Sequence, residues 1–209
     1  MGEELRSASE LMAMEFEPRQ WLVGGLLPAG GLVAISGGSN SGKTWIGLEL
    51  ALDFALRKAF LGQGFEEKGA ALLLCHGENL QGIAERLIAL GKGKGVEVPK
   101  EIFFDQRYLD LSREEEAEQV AEMVQQTGCS LLIIDNFRLY LPRSAEYSGY
   151  WVRRALRNLR GLCEEKGLCC VILQGHERAF NLKAGRYERP SKDLSVLFGQ
   201  SDLVVDLSE

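Results

Sequence analysis

The sequence predicts an α/β fold: a mostly parallel central sheet with helices on both faces. Three observations lead there. Strand-like apolar runs alternate with amphipathic helical patterns, the order that β-α units require. One strand-to-helix junction carries the glycine-rich stretch ISGGSNSGKT, Ile35 to Thr44. The bulk of the chain, 45% hydrophobic and 26% charged over 209 residues, suits a single folded domain rather than disorder or a coiled coil.

In chain order, residues 1–20 read as an N-terminal extension and residues 21–209 as the domain. The opening MGEELRSASELMAMEFE is acidic and lacks a basic region followed by an apolar core, so it does not resemble a secretion signal. Gly31 to Ser36 (GLVAIS) reads as the first strand and Thr44 to Lys58 as the helix after it. Ala70 to Cys75 (AALLLC) is a second buried strand. The helix that follows spans Leu80 to Leu90, where Ile83, Leu87 and Leu90 share one face with Ala84. GKGKGVEVP, Gly91 to Pro99, reads as a solvated linker, because no strand leads into it. Ile102 to Phe104 is a short strand. Ser112 with Glu115 reads as a capping box before the stripe Ala117, Val120, Ala121 and Val124. Ser130 to Ile134 (SLLII) is the most central-looking strand. Tyr150 to Lys166 is an arginine-rich helix, and Leu168 to Leu173 (LCCVIL) is another buried strand. A polar, basic stretch from Gln174 to Lys192 follows, then a helical piece and a last strand, Leu203 to Leu207.

No run of eighteen apolar residues offers a membrane span. Cys75, Cys129, Cys163, Cys169 and Cys170 form no C-x-x-C pairs. Most of them sit in or beside apolar runs, as small buried hydrophobes do, and a reducing cytoplasm is the expected compartment. Net charge is −6, the wrong sign for coating nucleic acid with a whole surface, so any such contact has to come from local loops.

The segment Gly37, Gly38, Ser39, Asn40, Ser41, Gly42, Lys43, Thr44 fits G-x-x-x-x-G-K-[ST] between a strand and a helix, the context this motif requires. Its glycines permit a tight turn whose N–H groups face phosphate oxygens, and the helix adds its positive end. Lys43 is placed to reach the β- and γ-phosphates of ATP, and the Thr44 hydroxyl to ligate Mg²⁺. Asp135 ends the run LLIID at the sheet edge, where it either holds Mg²⁺ or caps a turn. Glu78, in CHGEN beyond the second strand, is a candidate base for the attacking water; its alternative is a solvated first-turn residue. Gln174 and His176 follow the fifth buried strand as candidate γ-phosphate sensors or backbone caps, and the sequence does not choose between them.

Together these parts resemble a RecA/DnaB-type ATPase core. They are similar in particular to the RepA-like AAA ATPases, which include short hexameric helicases of plasmid replication. The resemblance is carried by WLVGGLLPAGGLVAISGG (Trp21 to Gly38), by GENLQGIAERLIALG (Gly77 to Gly91), and by RPSKDLSVLFGQSDLVVDL near the end. It implies a RecA-like P-loop NTPase fold over about Trp21 to Leu207. It also implies a catalytic glutamate after the second strand, at Glu78, and a metal-binding aspartate at Asp135. Arg86 matches a recurrent arginine and joins the nucleotide-binding set. Where the family often carries a histidine pair, this chain has Gly175 and His176.

The resemblance further implies hydrolysis at subunit interfaces of an oligomer, most plausibly a hexamer, with an arginine finger supplied by a neighbour. In RepA-like helicases that finger lies near the final strand, where this chain has Asp202; Arg178, Arg186 and Arg189 remain as substitutes. RecA-type cores turn two loops toward DNA, here Leu141 to Gly149 and His176 to Lys192. The second carries Arg178, Lys183, Arg186, Arg189 and Lys192, with Phe180 and Tyr187 among them, a combination suited to single strands. Arg153, Arg157 and Arg160 share a helix face that a solvated or subunit-facing surface explains equally well. The expectation is an Mg²⁺-dependent ATPase, foremost a helicase or motor on single-stranded DNA. The alternatives are a regulatory or assembly ATPase, or a nucleotide-binding module with negligible turnover.

Overall fold

The computed structural model describes residues 6–16, 18–142, 149–175, 180–181, 186–187 and 192–207. A short helix α1 (Ala8–Ala13) opens it, with Ser7 and Glu10 forming a capping box and none of its residues buried. A small antiparallel ribbon, β1 (Trp21–Val23) with β2 (Leu27–Pro28), leads into β3 (Leu32–Gly37). Then come α2 (Lys43–Leu56), β4 (Ala70–Leu74), α3 (Leu80–Lys94), β5 (Ile102–Asp105), α4 (Glu114–Thr127) and β6 (Cys129–Asp135). After a 3-10 turn at Phe137–Tyr140 follow α5 (Gly149–Lys166), β7 (Cys169–Gly175), a second small ribbon of β8 (Phe180–Asn181) and β9 (Arg186–Tyr187), α6 (Lys192–Gln200) and β10 (Leu203–Leu207).

Six strands form one sheet in the order β10-β3-β7-β6-β4-β5, every pairing parallel. Alternate residues of each strand therefore face opposite layers. Val33, Ile35, Leu73, Ile133, Val171 and Leu173 pack under α2 and α3. Ala34, Leu72, Leu132, Ile134, Cys170 and Ile172 pack under α4, α5 and α6. Both faces are covered, which is why these strands read as unbroken apolar runs. This is the expected α/β fold of a P-loop NTPase, with helices on both faces. All six C-terminal strand ends lie on one edge, where open parallel sheets gather ligands.

Among the described residues, no helix is long and apolar enough to cross a membrane. The five cysteines are buried thiols without disulfides. Burial pushes the Cys75 thiol up to about 12, so it stays protonated and unreactive at neutral pH.

Two local expectations are corrected. The GKGK stretch read as linker is the last turn of α3, which continues to Lys94 and ends at Gly95 in the left-handed region. Tertiary contacts override glycine's weak helix propensity there. Lys94 Nζ binds Glu49 at 2.7 Å and the buried Asp53 at 2.9 Å. A β-carbon on Gly91 would come within 2.9 Å of the Val96 carbonyl oxygen. The Ser112–Glu115 capping box does not form either. The Ser112 hydroxyl donates to Asp110 at 2.6 Å, and α4 starts after Arg113 with no side-chain cap. Three glutamates in its first turn complement the helix dipole instead.

Candidate functional site

The site begins at the end of β3. Glycine at position 37 keeps the turn tight: a β-carbon there would stand 2.4 Å from Ser41 Oγ and 3.0 Å from Leu207 Cβ, so the Ser41 side chain would have to move. The turn then passes through positive φ at Asn40 (61°) and Gly42 (87°) before α2 starts at Lys43. Asn and Gly are the residues that tolerate this conformation. Gly47 lets α2 sit close on the sheet: a β-carbon there would meet Leu173 Cδ1 at 2.8 Å. The first turn of α2, with its unpaired N–H groups, is thereby held over the strand ends.

The Lys43 ammonium folds back into this turn. It donates to the carbonyls of Gly37 (3.0 Å) and Gly38 (2.6 Å) and lies 3.4 Å from Ser41 Oγ. Burial lowers its pKa while Asp135 pulls it back up. A partly desolvated cation resting on carbonyls is a good partner for an anion that offers stronger oxygens.

Asp135, at the end of β6, is buried and accepts a 2.6 Å hydrogen bond from Thr44 Oγ1. Burial raises its pKa. The Thr44 bond opposes the rise, Glu78 adds to it, and the charges of Lys43 and Arg86 oppose it. The net upward direction marks a carboxylate short of positive charge. The Thr44 hydroxyl and the Asp135 carboxylate are hard oxygen donors of the kind Mg²⁺ takes, with water and substrate phosphate filling the remaining positions. Among the described residues no group of three or more His, Cys, Asp or Glu could hold a metal alone, so an all-protein cage is not offered here.

Glu78 follows β4, the neighbour of β6 on the side away from β7. Its carboxylate is half-buried and sits 3.6 Å from Arg86 Nη1, an atom that is itself buried without a hydrogen bond. Arg86, expected with the nucleotide set, thus lies on α3 against the candidate base.

Gln174 is buried near the end of β7, the strand between β3 and β6. It pairs in register with Ser36, just before the phosphate turn, and its side chain donates to the Gly175 carbonyl at 2.7 Å. Strand order alone puts Gln174 between the phosphate turn and Asp135. His176, Arg178, Lys183 and Arg189 lie outside the described residues, as do the side chains of Arg186 and Lys192. Within that segment the backbone pairs Phe180 with Tyr187 and Asn181 with Arg186 as a two-stranded ribbon.

Asp202 stands at the opposite edge of the sheet, at the start of β10. It accepts from the Leu32 N–H at 2.8 Å and binds Arg19 at 3.1 Å and Arg160 at 3.3 Å. Arg160, one of three arginines on the outer face of α5, is therefore used within its own domain. Arg153 and Arg157 remain exposed.

A family model described as an AAA domain matches residues 3–179. The chain belongs to the AAA domain family. No curated protein matches the chain. The matched span of the AAA domain holds the phosphate turn, Glu78, Arg86, Asp135 and Gln174. It ends before Lys183, Arg186, Arg189 and Lys192. Membership brings nucleotide-dependent ATPase chemistry of the P-loop type to the edge where these side chains converge.

Sequence reasoning named the residues of this edge but missed those that hold Glu78's loop. In the sequence His76 is simply the residue after Cys75, and Gln106 and Tyr140 carry no signal. Yet His76 N–H donates to the Tyr140 hydroxyl at 2.7 Å and His76 Nδ1 lies 3.0 Å from the Gln106 carbonyl oxygen. The rings of Tyr108 and Tyr140 meet the imidazole edge-on at 5.5 and 6.2 Å.

Proposed function

We propose that this AAA domain hydrolyses ATP with Mg²⁺, and that it works as an oligomeric motor on single-stranded DNA. The observation that carries the ATPase reading is the 2.6 Å contact of Thr44 with Asp135. It joins a phosphate turn to a sheet-edge carboxylate, with Lys43 on one side and Glu78 on the other.

Thr44 and Asp135 would hold Mg²⁺, which when bound neutralises phosphate charge and orients the β- and γ-oxygens. The chain's own residues do the rest. The N–H groups of the turn and of the α2 N-terminus bind the phosphates, and Lys43 leaves its carbonyl partners for the terminal ones. Glu78 accepts the proton of the attacking water, which bonds to the γ-phosphorus as the bridging bond to ADP breaks; ADP and inorganic phosphate leave. Strand order supports Gln174 as the side chain that contacts the γ-phosphate and reports its loss. His176 stays as the alternative sensor.

Support for the DNA reading is the composition of residues 176–192, with five basic residues and two aromatics. Support for oligomerisation is the openness of such a site on one side, where a neighbour's arginine (Arg178, Arg186 or Arg189) would reach the transferring phosphate. The regulatory-ATPase reading and the reading with negligible turnover remain as its competitors. One experiment separates the three: ATP turnover measured with and without single-stranded DNA across protein concentrations. Stimulation by DNA and specific activity rising with concentration support the motor. Turnover indifferent to DNA favours the regulatory ATPase, and nucleotide binding without turnover favours the third.

A further inference from the structure

We infer that Gln106 is a positioning residue for Glu78, acting by clamping the loop between β4 and α3. The inference rests on the reading of Glu78 as the base.

The loop from Cys75 to Asn79 has five residues in which to turn from strand to helix, and it passes through left-handed Gly77. Its own bonds are sparse: Glu78 N–H donates to the Cys75 carbonyl at 3.1 Å, and Asn79 caps α3 through Gln81 N–H. Gln106, just past β5, grips it at two points. Its side-chain amide donates to the Glu78 main-chain carbonyl, while its own main-chain carbonyl faces His76 Nδ1 at 3.0 Å. The carbonyl can only accept, so His76 carries its proton on Nδ1. The His76 N–H is fixed in turn to the Tyr140 hydroxyl, on the turn directly after β6, the strand of Asp135.

Glu78 is therefore located from two directions. Arg86 stands beside its carboxylate at 3.6 Å, and Gln106 fixes the carbonyl of the same residue. Arg86 addresses a group that must also meet water, whereas Gln106 addresses the backbone and stays engaged through the reaction. A base displaced by about 1 Å can lose up to ~100-fold in rate, which sets the scale of the effect.

The test uses the full chain. Gln106→Ala removes the donor, and Gln106→Glu sets a carboxylate against the Glu78 carbonyl. His76→Phe removes the Nδ1 donor, while His76→Asn keeps an N–H in a similar place. The expected result is kcat lowered ~10- to 100-fold in the first three, with ATP affinity and Tm unchanged, and activity restored toward wild type in His76→Asn. Amide hydrogen exchange at residues 76–79 should rise in Gln106→Ala. Wild-type kcat in Gln106→Ala, unchanged exchange there, or a matching loss of ATP affinity or Tm would overturn the assignment. Absent turnover in the wild-type protein would instead overturn the ATPase reading, and the exchange measurement would still decide whether Gln106 holds the loop.

Discussion

Thr44 Oγ1 donates to Asp135 Oδ2 at 2.6 Å, joining the first turn of α2 to the end of β6 across the intervening strand β7. The bond does not fully offset the burial of Asp135, whose pKa is raised. A carboxyl with a raised folded pKa keeps its proton in the fold where the unfolded chain has lost it. Its contribution to stability therefore falls as pH rises through that window.

Asp135→Asn removes this penalty. The nucleotide-free variant should melt at or above the wild-type temperature at neutral pH, and its advantage should shrink toward about pH 4, near the ordinary carboxyl range. Mg²⁺-dependent nucleotide binding should collapse in the same variant. Thermal melts across pH, with and without Mg²⁺-ATP, check both halves. A variant clearly less stable without nucleotide at neutral pH would show that Asp135 serves the fold instead.

Lys43→Ala and Glu78→Gln should fail in different ways. Without Lys43 both nucleotide binding and hydrolysis should drop steeply, because the one cation within the phosphate turn is gone. Glu78→Gln keeps the shape and loses the base, leaving ATP bound and uncleaved. Binding by fluorescent nucleotide and turnover by phosphate release separate the two. Full turnover in Glu78→Gln would remove Glu78 from the mechanism.

Lys94→Ala should destabilise the domain without touching catalysis. It leaves Asp53, 1% exposed and with one oxygen already unpartnered, without its cation. Lys94 is itself partly exposed, so the loss is set below that of a fully buried pair, at about 2 kcal/mol. That corresponds to roughly 4–8 °C in Tm for a chain of this size. Burial already raises the Asp53 pKa, so the deficit should shrink as pH falls and the carboxyl takes up a proton. An unchanged Tm at neutral pH would contradict the anchoring role given to this ion pair.

Neutralising Lys183 and Arg186 together should weaken binding to single-stranded DNA and flatten its salt dependence by roughly one unit of slope per charge. Basal ATPase should survive the loss of Lys183, which is proposed to meet DNA alone, whereas basal turnover lost with Arg186 would assign that arginine to a neighbour's site. Arg189 belongs beside them as a control: lost basal turnover with DNA affinity kept would assign it to a neighbour's site. Unchanged affinity and slope in the double variant would take away the main support for the motor.

The buried strands and the phosphate turn were legible in the sequence, because a strand covered on both faces must be apolar throughout and a phosphate turn needs fixed glycine spacing. What escaped depends on contacts distant in the chain. The last turn of α3 looks like a linker until Lys94 meets Asp53, 41 residues earlier. Ser112 escaped for a local reason instead: Asp110, two residues earlier, takes its hydroxyl. The clamp on Glu78 joins His76 to residues 30 and 64 positions away, with no local pattern to announce it. The ribbon of Phe180 and Tyr187 is indistinguishable from loop in the sequence, since two-residue strands carry almost no periodicity.

The position of that ribbon along the chain sets a length. Gly175 closes β7 beside Gly37 of the phosphate turn, and Phe180 opens the ribbon five residues later. Five residues span at most ~18 Å even when fully extended. Anything that grips the ribbon is therefore tied within that radius of the phosphate edge, about the reach of one domain's radius. Along the chain only residues 176–179 separate the ribbon from the end of β7, next to Gln174. A partner held by the ribbon is by chain length alone a near neighbour of the edge that carries Thr44 and Asp135.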